Sequence, residues 1–97
     1  MKKVFISQSM RGRNSEEIQS ERDMLIAEAQ KVIGEEAEVL DSFFKDFDGN
    51  ALAFLGKAIG VLSNADVAVF GRGWQDARGC VIEHACCKEY GITTIEF

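Results

Sequence analysis

The sequence predicts an α/β domain: a three-layer sandwich around a short parallel sheet of four strands, in the order 2-1-3-4. Three observations carry this expectation. Short apolar runs with β-branched residues alternate along the chain with longer stretches of helical periodicity. No hairpin signal joins consecutive runs, so each crossover passes through a helix and is expected to be right-handed. The 97 residues suit one domain, 1–97, with a single modest core.

Each element has its own local reason. "KVFIS" (3–7) reads as a buried first strand, and "QSMRGRN" (8–14) as a polar loop containing Gly12. Asn14 and Glu17 have capping-box spacing. Ile18, Leu25, Ile26, Ala29, Val32 and Ile33 then recur at helical spacing, predicting an amphipathic helix over 15–33 that Gly34 closes. "AEVLD" (37–41) is the second strand. The loop 42–50 carries Phe43, Phe44 and Phe47, and offers Asp48 or Asn50 as a cap.

The helix over 51–64 holds one charge, Lys57, and is apolar almost all round. Leu52, Leu55, Ile59 and Leu62 are expected to cover the sheet, leaving Phe54, Ala58 and Val61 outward. Such a face predicts a homodimer or larger homo-oligomer through helix 51–64, with Gly56 and Gly60 permitting close approach. The alternative is a helix tucked under the 42–50 loop. "DVAVF" (66–70), a helix over 75–90 and "ITTIEF" (92–97) complete the alternation. The resulting topology is flavodoxin-like but shortened.

Charge and composition narrow the partners. A net charge of −5 argues against general affinity for nucleic acid or an anionic membrane surface, while leaving room for a local basic pocket. Three cysteines, two of them adjacent, do not make a disulfide framework, so reduced thiols and a cytoplasmic location are expected. The apolar part of "MKKVFIS" is too short for a signal peptide. No run approaches the ~20 apolar residues of a membrane span. Cys80, His84 and Cys87 share helical spacing, but one helix cannot supply four tetrahedral ligands, so neither metal nor other cofactor is expected.

In an open parallel sheet, ligands bind beyond the carboxyl ends of the strands, where the strand order reverses. Here that point lies between the first and third strands, whose loops are 8–14 and 71–78. The first loop offers Ser7, Gln8, Ser9, Met10, Arg11 and Gly12 as substrate- or phosphate-binding residues, ahead of a helix N-terminus that favours anions. Arg13 is the loop's second arginine. The competing reading is a solvated turn with two surface arginines. The second loop and the following helix offer Gly73, Trp74, Arg78 and Gly79, with Asp76 as a second acidic group. Trp74 and the phenylalanines of 42–50 either stack on a base or pack.

Glu83 is the candidate catalytic residue. A helical projection places it among Gly79, Cys80, Cys86, Cys87 and Tyr90, with Ile82 at the edge of the arc. A carboxylate on such a face is expected to have a raised pKa, and Gly79 leaves room for a ligand over it. The alternative is a structural ion pair with Arg11 or Arg78. His84 falls on the exposed shoulder, the cysteines read as core-filling thiols, and Asp66 begins its strand away from the site. Asp41 stands at the carboxyl end of its strand, within reach of the cleft.

The stretches "ISQSMRG", "ADVAVFGRGW" and "ARGCVIEH" resemble the nucleoside 2-deoxyribosyltransferase superfamily, above all its short bacterial and phage members, over nearly the whole chain. "QSMRG" is also similar to the first loop of the 2'-deoxynucleoside 5'-phosphate N-hydrolases. The resemblance implies an enzyme that cleaves the N-glycosidic bond of nucleosides or their 5'-monophosphates, with Glu83 as nucleophile. It implies that Arg11, with Ser7, Ser9 and Gly12, holds a 5'-phosphate, and that Asp76 assists or binds the leaving base. The alternatives are a non-catalytic nucleotide-binding module of the same fold and a dimerising scaffold without a ligand.

Overall fold

The computed structural model describes residues 1–42 and 48–97. Its elements are β1 (Lys2–Ser7), α1 (Ser15–Ile33), β2 (Ala37–Val39), α2 (Ala51–Leu62), β3 (Val67–Phe70), α3 (Arg78–Tyr90) and β4 (Thr93–Glu96). A 3-10 turn, Trp74–Asp76, precedes α3, so the helix starts three residues later than the sequence pattern suggests. β2 stops at Val39, two residues short of the predicted end. The phenylalanines Phe43, Phe44 and Phe47, considered as stacking groups, lie outside the described residues.

The four strands form one parallel sheet in the order β2-β1-β3-β4. Alternation along the two central strands divides the core. Val4, Ile6, Val67 and Val69 pack against Leu25 and Ala29 of α1 on one face. Phe5, Ala68 and Phe70 pack against Ala58 and Leu62 of α2 and Cys80 and Cys87 of α3 on the other. Three layers result, as the alternating pattern requires.

Local chemistry explains the helix ends. Asn14 and Asn50 cap α1 and α2 by accepting the N–H groups of Glu17 and Ala53, each at 2.8 Å. Gly34 and Gly91 end α1 and α3 in the left-handed conformation, where a side chain would be strained. At the end of the sheet away from the site, Asp66 accepts the N–H of Lys3 at 2.8 Å, the structural role expected of it.

Three expected orientations are corrected. α2 is turned relative to the predicted pattern: Ala58 is buried and Val61 packs on the core, whereas Leu52 is 76% exposed. Ala58 and Val61 therefore cannot form the outward face assigned to them. A helix apolar all round offers no preferred direction, and packing against β3 and α3 chooses one. Val32 of α1 is 63% exposed and Tyr90 of α3 is 83% exposed, each standing in the last turn of its helix.

The α2 orientation makes a direct prediction. Leu62→Ala should cost about 2–5 kcal/mol in urea unfolding, as a core truncation does. Leu52→Ala should stay within about 0.5 kcal/mol, as an exposed substitution does. A cost at Leu52 comparable to that at Leu62 would restore the sequence-based orientation, in which both cover the sheet.

Candidate active site

The carboxyl ends of β1 and β3 meet where the strand order reverses. Ser7 pairs with Phe70 in the register, and the Gly71 N–H donates to the Ser7 carbonyl at 2.9 Å. Gly71 packs tightly here: a Cβ on it would lie 3.2 Å from Leu25 Cδ1 and 3.5 Å from both Gln8 Cβ and Glu21 Oε1. The following chain turns back through Gly73, at φ 85°, which a side chain rarely adopts.

Strand alternation sends Ser7 and Gln8 to opposite faces. Ser7 shares the face of Phe5, beneath α3, where its Oγ donates to Glu83 Oε1 at 2.6 Å. Both side chains are buried. Burial raises the Glu83 carboxyl from its usual 4.5 to about 7, and the hydrogen bond from Ser7 opposes that rise. Among the described residues no cation pairs with Glu83. Arg11 and Arg78 are exposed and make no ion pair among the described residues, so the structural ion pair with Glu83 considered from sequence is formed with neither.

Cys80 and Cys87 flank Glu83 one turn before and after it, both buried. Burial raises the Cys80 thiol, with hydrogen bonding to Ser7 opposing and the charges of Glu83 and Glu21 adding. Burial, with Cys86 and Glu83, pushes Cys87 up to about 11. Both therefore stay protonated near neutrality, as core thiols rather than nucleophiles.

Gln8 turns toward α1. Its Nε2 donates to the Ile18 carbonyl at 3.1 Å and to Glu21 Oε1 at 2.9 Å, while its Oε1 has no partner among the described residues. Arg13 also reaches Glu21 Oε1 and holds the Ser9 carbonyl, each at 2.8 Å. Of the loop's two arginines, Arg13 is thus engaged in fastening the loop to α1. Arg11 and Gly12 stand exposed at its tip, with Ser9 and Met10 half-buried below them.

On the β3 side, Gly73, Asp76 and Arg78 are exposed and Gly79 is half-buried. Among the described residues, a Cβ on Gly79 would come within 4 Å of Leu55 Cδ1 alone, at an ordinary 3.8 Å. Asp76 makes no hydrogen bond to Glu83; its N–H closes the 3-10 turn onto Gly73. α3 begins without a side-chain cap, and its first turn carries Arg78 in place of an acidic residue. Its first N–H groups are thus left for solvent or an anion.

Two features escaped the sequence reading. His84 is not an exposed shoulder residue: it stacks on Trp74 with centroids 4.1 Å apart, meets Phe70 edge-on, and bonds Glu96 Oε1 at 3.0 Å. Trp74 is thereby already engaged on one ring face. Arg22 is buried in α1, donating to the Leu40 carbonyl and to Ser42 Oγ, which in turn donates to the Ile6 carbonyl. Burial lowers the Arg22 pKa, opposed by the charges of Asp41 and Asp23. The four-residue step from Ile18 was the available signal for Arg22. His84 lies close to Cys80 in helical projection, which was the corresponding signal there.

Among the described residues no group of three or more His, Cys, Asp and Glu side chains is placed to hold a metal ion. None of their helices is long and apolar enough to cross a membrane. The fold and site define an α/β domain with a buried carboxyl at its switch point that has no cationic partner among the described residues. Compared with protein-family models and with curated proteins, the chain matches none.

The raised Glu83 pKa carries a sign that stability measurements can check. Between pH 4.5 and about 7 the folded protein keeps a proton that the unfolded chain has released. Stability from this group therefore falls as pH rises through that window and is level above it. The difference corresponds to about 3 kcal/mol. Glu83→Gln should leave stability near pH 4.5 unchanged and raise it at pH 8 by about that amount, read from denaturant midpoints.

Proposed function

We propose that the protein is an N-glycosidase or deoxyribosyltransferase-like enzyme acting on (deoxy)nucleosides or their 5'-monophosphates, with Glu83 as nucleophile. The observation that carries this reading is the Glu83 carboxyl itself: buried at the switch point, hydrogen-bonded to Ser7, and without a cationic partner among the described residues. A purely structural role leaves a cost in stability with no compensating pair, whereas a carboxyl that titrates near neutrality suits a chemical task. The resemblance of "ISQSMRG" and "ARGCVIEH" to the deoxyribosyltransferase superfamily supports the same role.

In this mechanism a Glu83 oxygen attacks the anomeric carbon as the bond from that carbon to the base nitrogen breaks. The base leaves with the bonding electron pair and acquires a proton, for which Asp76 is the nearby acidic candidate in sequence. Water, or a second base in a transfer, then attacks the same carbon and releases Glu83 as carboxylate. Hydrolysis thus yields free base and free sugar, or sugar phosphate. Exposed Arg11, with the uncapped start of α3, supports a place for the 5'-phosphate.

One observation favours the alternative of a non-catalytic nucleotide-binding module: Asp76 is exposed and makes no hydrogen bond to Glu83. Incubation with a panel of nucleosides and 5'-monophosphates, followed by chromatography for free base, separates the two. The enzyme should release base, and Glu83→Gln should lower kcat at least about 100-fold, as loss of a nucleophile does. Nucleotide binding without release, unchanged in Glu83→Gln, would establish the module instead. Arg11→Ala should raise KM for monophosphates and leave nucleosides unaffected.

Because the nucleophile must be ionised, kcat/KM should fall about tenfold per pH unit below pH 7. A flat profile between pH 5 and 7 would remove Glu83 from the reaction.

A further inference from the structure

Ser7 stands apart from the other loop residues expected at a phosphate. It is the last residue of β1, 2% exposed, and its hydroxyl proton is committed to Glu83 Oε1 at 2.6 Å. That length is typical of a short O–H···O⁻ hydrogen bond. A hydroxyl has one proton to donate, so a Ser7 that donates to Glu83 cannot at the same time donate to a phosphate.

The other groups around the carboxyl do not share this task. From α3, Cys80, which also lies within hydrogen-bonding reach of Ser7, and Cys87 stay protonated near neutrality, so neither is a thiolate that would draw the Ser7 proton from Glu83. From α1, Glu21 adds negative charge felt at Cys80, and its own carboxylate is held by Gln8 and Arg13. From α2, the near neighbour of Gly79 is the apolar Leu55. Among the described residues, Ser7 is the only side chain that donates a hydrogen bond to Glu83.

We infer that Ser7 is a positioning residue for Glu83: it ties Oε1 to the end of β1 and leaves Oε2 as the oxygen that reacts. This rests on the nucleophile reading of Glu83 and adds which oxygen attacks and what favours its charge. The hydrogen bond restrains the carboxyl in one plane, reducing the rotational freedom lost on attack. It also favours the ionised form against burial. The serine thus acts on the reaction through Glu83 and not through the substrate.

The test follows the Glu83 carboxyl directly, by NMR titration of protein labelled with carboxyl-carbon glutamate and assigned with Glu83→Gln. In Ser7→Ala the midpoint should move up by about one pH unit. The acid limb of kcat/KM should move with it, while KM stays within about twofold. Ser7→Cys keeps the volume with a weaker donor, and should move the midpoint the same way by less. It serves as the test if the alanine variant fails to fold.

An unmoved midpoint in either variant overturns the inference. So does a Ser7→Ala enzyme whose KM rises for monophosphates alone, which would return Ser7 to the phosphate. A parent protein that releases no base overturns the nucleophile reading and this inference together. Base release with an unmoved titration overturns this inference alone.

Discussion

The parallel pairing of β1 with β3 is the contact on which the other features rest. Both strands are buried from Val4 to Ser7 and from Val67 to Phe70, and their alternating side chains build the two halves of the core. The strand order reverses at this pair, so the chains leaving it diverge to opposite sides of the sheet. A crevice at their carboxyl ends is a consequence of that divergence. The same pleat directs Ser7 to α3 and Gln8 to α1, so two consecutive residues serve two different networks.

Those networks divide the work at the crevice. On the α1 side, Gln8, Arg13 and Glu21 fasten the loop to the helix, with Arg13 also holding the Ser9 carbonyl. One arginine is consumed in this, and Arg11 is left facing outward. On the α3 side Ser7 and Glu83 are a buried polar pair set beside the apolar cluster of Phe5, Phe70, Cys80 and Cys87. A fold selected for stability alone would place leucine or alanine there; a carboxyl with one hydrogen-bond donor is locally unfavourable. Local conflict of this kind, inside an otherwise consistent domain, is where function is sought.

Much of the fold was legible in local signals. α1 runs over the predicted 15–33, because its Asn cap, its apolar spacing and Gly34 are all short-range features. The strand order followed from alternation without hairpins. Glu83 was legible as an inward carboxylate from its helical neighbours alone. The Ser7 link was within reach too, since Ser7 lies two residues after Phe5 on a strand and therefore on the same face. What hid it was the competing reading of Ser7 as part of the polar loop.

Periodicity, capping and turn chemistry are properties of neighbouring residues, and they were enough to set the elements, their order and the inward stance of Glu83. Which way α2 faces, where His84 rests and what Arg22 holds depend on residues distant in the chain. α2 is apolar all round, so only contact with β3 and α3 could orient it; His84 finds Trp74 in a turn and Glu96 on another strand. Arg22 looks like a surface charge until Leu40 and Ser42 close over it. Tertiary packing decided these because burial is a relation between segments, and no single segment contains it.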